Sequence, residues 1–153
     1  MELTIEEPVP ENTTKLSAAP TVCIVDDDAS MANSTRLLVQ SFGFKAESFS
    51  SAEGFLDSAL LRETERLILI LDFRMPGLDG LALQQRLLTA NQRIPIIFVS
   101  ARANEAVRAQ GIAQGALAFL RKPFSGDQLI NALQSALFWG SALEGKKPVT
   151  QNE

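Results

Sequence analysis

Five short apolar runs, each followed by a stretch of helical period, constrain this chain more than any other feature. Val22 to Val25, Lys45 to Phe49, Leu67 to Leu71, Ile96 to Val99 and Leu117 to Leu120 read as strands. Four of the five are apolar almost throughout, as strands covered on both faces are. The second is more polar and fits an edge. Residues 30–43, 51–61, 79–90, 104–114 and 126–138 read as helices. In the last of these, Leu129, Leu133 and Leu137 recur at four-residue spacing, and Ile130 and Ala136 widen the same stripe. Ser125 and Gln128 have the spacing of a capping box, and Gly43 stands where a helix C-cap belongs. Five βα units in succession predict an α/β domain with a doubly wound parallel sheet and helices on both faces.

Residues 1–20 and 140–153 are polar and lack periodicity, so flexible tails are expected around a domain at 21–139. A net charge of −4 gives no general pull toward nucleic acid or anionic lipid, so neither is expected as a direct partner. The acidic N-terminus lacks the pattern of a secretory signal, and no run is long and apolar enough to span a bilayer. The single cysteine, Cys23, lies in an apolar run and should pack as a reduced core residue, which points to the cytoplasm. The chain contains no histidine. That excludes the usual base of a Ser or Cys triad, and it excludes a phosphohistidine donor within these residues.

In doubly wound sheets, ligand chemistry collects at the carboxyl ends of the strands. Here the first strand runs into Asp26, Asp27 and Asp28, and the third delivers Asp72 within LILILDFRMPGLDG. The fourth ends at Ser100, and the fifth at Lys122 with Pro123 behind it. Crowded carboxylates repel one another unless a cation is bound, and Mg²⁺ takes one or two carboxylates, waters and phosphate oxygens. A lysine and a hydroxyl beside them suit phosphoryl transfer, with Asp72 as a nucleophile. Each residue also has an ordinary reading. Asp26 to Asp28 can cap a helix, and Asp72 can serve the turn at Met75-Pro76-Gly77. Ser100 can be a cap, and Lys122-Pro123 an exposed turn.

Over residues 20–138 the chain strongly resembles the receiver domain of response regulators, the CheY-like superfamily. The resemblance rests on CIVDDD, LDFRMPGLDG, PIIFVSA and GALAFLRKPF, in that order at successive strand ends. It implies a flavodoxin-like sheet of order 2-1-3-4-5. It makes Asp72 the phosphoacceptor, with Asp27 a direct Mg²⁺ ligand, Asp26 acting beside it and the Arg74 carbonyl completing the protein ligands. Lys122 would pair with the phosphoryl group and Ser100 would hydrogen-bond to it. Phe119 would be the aromatic switch, turning inward as Ser100 moves. A cis Lys122-Pro123 peptide is expected, and Asp28 is given no ligand role. Apart from the resemblance, Arg74 and Arg102, each two residues beyond a site residue, are either solvated surface arginines or placed to overhang the site and prolong the life of the acyl phosphate.

The resemblance further implies a histidine kinase or phosphotransfer protein as donor. With about fourteen residues after Trp139, a stand-alone regulator is expected, signalling through a downstream protein or a phosphorylation-dependent homodimer. Its only catalysis would be its own phosphorylation and dephosphorylation. Two rivals are a haloacid-dehalogenase-like phosphatase, which would use Asp26 in the D-x-D of Asp26 to Asp28, and a receiver fold kept as a phosphate-insensitive binding module.

Overall fold

The computed structural model describes residues 19–64, 66–102 and 105–145. The elements run β1 (Thr21–Val25), α1 (Ala29–Ser41), β2 (Lys45–Phe49), α2 (Ala52–Leu56), α3 (Ala59–Glu63) and β3 (Leu67–Asp72), then α4 (Gly80–Thr89), β4 (Ile96–Ser100), α5 (Glu105–Ala113), β5 (Ala118–Arg121) and α6 (Gly126–Gly145). The five strands form one parallel sheet in the order β2-β1-β3-β4-β5.

Alternation along the buried strands builds two cores. Cys23, Val25, Leu67, Leu69, Leu71, Ile96 and Phe98 face one side, where Ala52, Phe55, Leu83 and Leu87 of α2 and α4 cover them. Val22, Ile24, Ile68, Ile70, Ile97 and Val99 face the other, against Ala32 and Val39 of α1 and Leu129, Leu133 and Ala136 of α6. A strand buried on both faces needs apolar side chains in both phases of its period of two, which is why these runs are continuous rather than alternating.

Local chemistry fixes the ends of the helices. Asp28 caps α1, its carboxylate accepting from the amides of Ser30 and Met31, each at 3.1 Å. Gly43 adopts φ +98°, and its N–H and that of Phe44 close back onto Gln40 and Val39. The capping box at α6 is present in both directions. The Gln128 amide donates to Ser125 Oγ at 3.0 Å, and the Ser125 amide to Gln128 Oε1 at 2.9 Å.

Three elements depart from the sequence expectations. The helix expected at 51–61 is two short helices. Ser58 stands between them in extended backbone at ψ 152°, its hydroxyl and amide both turned back on the Phe55 carbonyl. Serine competes in this way for backbone partners and interrupts the helical ladder. The last helix, expected to end at about 138, continues to Gly145, into the segment expected to be a tail. Arg66 donates to the Leu137 carbonyl at 3.0 Å and ties the helix, just before this extension, to the foot of β3. The remainder of both expected tails lies outside the described residues. β5 is the second edge strand, as the order 2-1-3-4-5 implies, but Ala118, Phe119 and Leu120 are only half-buried where the apolar run suggests cover on both faces.

Gln84 sits in the core at 1% exposure, its Nε2 donating to the Gly111 carbonyl at 3.1 Å while Oε1 has no partner among the described residues. An unpaired buried amide oxygen is destabilising by roughly 1–3 kcal/mol. The Gly111 carbonyl keeps its bond from the Ala116 amide. Gln84→Met should therefore raise the melting temperature, and a lower value would contradict this account of the side chain.

Candidate functional site at the carboxyl ends of the strands

One further backbone bond past β1, β3 and β5 extends the strand pairing to a common rim. The Asp26 amide donates to the Phe49 carbonyl at 3.0 Å, Phe73 to Val99 at 2.9 Å and Lys122 to Ser100 at 2.9 Å. Asp26, Asp72 and Ser100 are consequently buried although polar, and Asp27 is exposed. One carboxylate oxygen from each of Asp26, Asp27 and Asp72 lies within 4.8 Å of the others.

Lys122 enters from β5, its Nζ 2.9 Å from Asp26 Oδ2 and 3.6 Å from Asp72 Oδ2. The cis Lys122-Pro123 peptide is present. Asp26 Oδ1 accepts from the Asp28 amide at 2.9 Å, so both oxygens of this buried carboxylate are engaged. The Arg74 amide approaches Asp72 Oδ1 at 3.4 Å. Ser100 Oγ accepts from the Arg102 amide at 3.1 Å, which leaves its O–H available as a donor.

The electrostatics follow from burial. Desolvation, and next the negative charge of Asp26, push the Asp72 carboxyl from its ordinary 3.8 to about 6, although Lys122 acts the other way. For Lys122, burial pulls the ammonium down, but the hydrogen bond to Asp26 and the charges of Asp26 and Asp72 together outweigh it and hold it above its usual range. Three carboxylates facing a single ammonium leave an excess of negative charge. Hard oxygen donors this close together suit a small divalent cation, which the chemistry of the donor set therefore fits.

Beneath the rim lies an aromatic cluster. Phe73 and Phe98 meet edge to face at 5.2 Å, and Phe119 lies against both, at 5.8 and 5.9 Å between centroids. Phe119, expected as a switch, is thus half-buried over the core on the α4 side of the sheet. Arg74 and Arg102 line one cleft of about 490 Å³ together with Phe73, Met75, Pro76, Asp79 and Val107.

A family model, the response regulator receiver domain, matches residues 22–134. This chain belongs to that family. The receiver is 37% identical over 140 residues to the transcriptional regulatory protein TdiR of Thauera aromatica, covering 92% of this chain and 59% of TdiR. It is 37% identical over 119 residues to the response regulator TodT of Pseudomonas putida, covering 78% of this chain and 52% of TodT. The chain thus spans little more than half the length of these relatives. A response regulator receiver from Burkholderia phymatum superposes with a TM-score of 0.66 at 40% identity, covering 77% of this chain and 94% of that one. The sheet order is the expected one, and the phosphoacceptor role of receivers in two-component signalling fits this chain.

The site separates the ordinary from the chemical readings of its residues. Asp28 is the helix cap, whereas Asp26 and Asp27 join the carboxylate cluster. With Asp28 engaged at α1 and the family assigned, the D-x-D phosphatase reading has no support. Sequence reasoning missed Gly80, Gly111 and Glu53. A Cβ on Gly80 would lie 2.7 Å from the Asp72 carbonyl oxygen, and one on Gly111 would lie 3.0 Å from the Phe98 ring. The glycine in LDFRMPGLDG that opens α4 was legible as a letter, but a close approach across the fold has no local signature.

Proposed function

We propose that this receiver takes a phosphoryl group from a partner's phosphohistidine onto Asp72. What supports this most is the meeting of the Asp26, Asp27 and Asp72 carboxylates within 4.8 Å of one another, with the Lys122 ammonium 3.6 Å from Asp72. Asp26, Asp27, Asp72 and the carbonyl of Arg74 would hold Mg²⁺, which when bound neutralises charge on the phosphoryl oxygens. An Asp72 oxygen attacks phosphorus as the P–N bond of the donor breaks, and the imidazole leaves. Lys122 balances the added charge, and the Ser100 hydroxyl donates to a phosphoryl oxygen. Catalysis by the protein rests on positioning and charge, and it acts only on its own Asp72.

The acyl phosphate carries roughly 1.5 to 2 negative charges where the free Asp72 carboxylate carried one, so the rim gains about one negative charge. Ser100 and Phe119 carry that change to the surface of α5, β5 and α6, where a downstream protein or a second copy reads it. The donor is a histidine kinase or phosphotransfer protein, and the setting is cytoplasmic. Among the described residues no helix is long and apolar enough to cross a membrane.

The test is phosphotransfer profiling against phosphorylated histidine kinases. Label should pass to the wild-type chain and not to Asp72→Ala. Label retained by that variant would overturn the assignment.

Arg74 and Arg102 share a cleft with Phe73, the residue after Asp72, and in this reading their guanidinium groups shield the acyl phosphate and restrict the attacking water. Phosphate decay in Arg74→Ala and in Arg102→Ala should be several-fold faster than in wild type. Unchanged half-lives would count against this role.

A further inference from the structure

The segment from Arg74 to Asp79 connects the phosphoacceptor strand to α4, and its first residue offers the carbonyl expected to face the metal. Its two ends are fixed within the site. The Gly80 amide donates to the Phe73 carbonyl at 3.1 Å, and Met75 is buried in the core. The tip, at Pro76 and Gly77, is exposed. Among the described residues, one hydrogen bond ties residues 75–78 to another element: the Leu78 amide donates to Glu53 Oε2 at 3.2 Å, across 25 residues of sequence.

Three observations make this bond more than an incidental surface contact. Gly77 turns at φ +74°, and a Cβ there would stand 3.2 Å from the same Glu53 oxygen, so the carboxylate is seated closely over the turn. Glu53 projects from α2, which is anchored by Ala52 and Phe55 at 1% and 0% exposure and capped by Ser51 at 2.9 Å. Leu78 itself is half-buried against the core that α2 covers. A fixed platform therefore holds the turn through a carboxylate acting as acceptor.

We propose that Glu53 is a positioning residue for phosphorylation. From α2 it latches the acceptor loop and so holds the backbone of Arg74 where the divalent cation is received. It touches neither the cation nor the phosphoryl group. The proposal rests on the phosphoacceptor reading for its consequence, but the latch itself can be measured without it.

The experiment uses the full chain with Glu53→Ala, which removes the acceptor, and Glu53→Gln, which retains an acceptor oxygen without the charge. Amide hydrogen exchange at Leu78 is read by NMR without metal, and Mg²⁺ affinity by titrating the same amides. Glu53→Ala should speed exchange at Leu78 and weaken Mg²⁺ binding, each by about fivefold, the scale of one hydrogen bond. Glu53→Gln should stay within about twofold of wild type, because an amide oxygen can take the same N–H. Unchanged exchange in Glu53→Ala would overturn the latch, and unchanged Mg²⁺ affinity would overturn its positioning role. A glutamine variant as impaired as the alanine one would do the same, by assigning the effect to charge. If wild type neither binds Mg²⁺ nor accepts label, the phosphoacceptor reading fails, and the exchange measurement still decides whether the latch exists.

Discussion

In metal-free buffer at pH 7.5, Asp72→Asn should melt well above the wild-type domain, and at pH 4 the two should melt together. The Asp72 side chain is 10% exposed, and burial together with Asp26 places its folded pKa at about 6 against an ordinary 3.8. A carboxyl whose pKa is raised by folding binds its proton more tightly in the folded state. Stability from this group is therefore complete below the unfolded pKa, and it is lost as pH rises toward the folded one. The loss begins near pH 4 and is complete above about pH 6. Two units correspond to about 3 kcal/mol at most, and after relaxation about 2 kcal/mol is expected, or on the order of 5–10 °C in melting temperature. Asparagine keeps the shape without the charge, and Lys122 keeps its bond to Asp26. Thermal melts of both proteins across pH 4 to 8 check this. A gap that stays constant with pH would refute the electrostatic account, and a variant less stable than wild type would refute its sign.

The same charge that destabilises the domain in metal-free buffer gives the site its chemistry. An ionised, poorly solvated carboxylate beside other carboxylates has two ways to recover its lost solvation: a cation on the rim, or the proton it takes up below about pH 6. Adding Mg²⁺ should consequently raise the melting temperature of wild type more than that of Asp72→Asn, and the comparison ties stability to the site without any kinase.

Much of this was legible in the residues because the signals were local or periodic. Continuous apolar runs announced buried parallel strands, and the residue leaving each strand announced the rim. Ser125 and Gln128 announced their own capping box. The edge position of β5 follows from the family resemblance and not from its apolar run, because apolarity cannot tell burial by two neighbours from burial by one strand and a helix. Asp57 and Ser58 did not announce a break, since both residues are compatible with a helix until Ser58 bonds to Phe55. The triple aspartate is divided between cap and cluster by the family resemblance, not by its local pattern. That division depends on the turn after Val25, where the Asp28 amide folds back to Asp26 while its side chain goes forward to α1. Glu53, Gly80 and Gly111 were invisible for a different reason: each matters through a contact with a residue remote in sequence or across an element boundary.

Gly80 is where such a contact should be felt most. Its φ is not in the left-handed region, and in an isolated helix alanine would be favoured over glycine by about 1 kcal/mol. In this fold a Cβ would lie 2.7 Å from the Asp72 carbonyl oxygen, 3.0 Å from Phe73 Cα and 3.1 Å from the Phe98 ring. Two of the three obstacles are backbone, of Asp72 at the end of β3 and of Phe73 just after it, and cannot rotate away, so α4 must move off β3. Overpacking of this kind costs about 1–3 kcal/mol, and with an immovable backbone the upper end applies. Gly80→Ala should therefore destabilise the domain by about 3 kcal/mol and slow phosphorylation, because the displaced segment carries Arg74 and Asp79 with it. Gly111→Ala is the internal control. Its Cβ meets only the Phe98 ring, at 3.0 and 3.2 Å, and a ring can shift by a few tenths of an ångström. That variant should lose less stability and retain its phosphorylation rate. Urea unfolding and phosphotransfer on both variants decide the matter. Equal losses at the two glycines would mean that the Phe98 ring, rather than the Asp72 backbone, sets how closely α4 can approach.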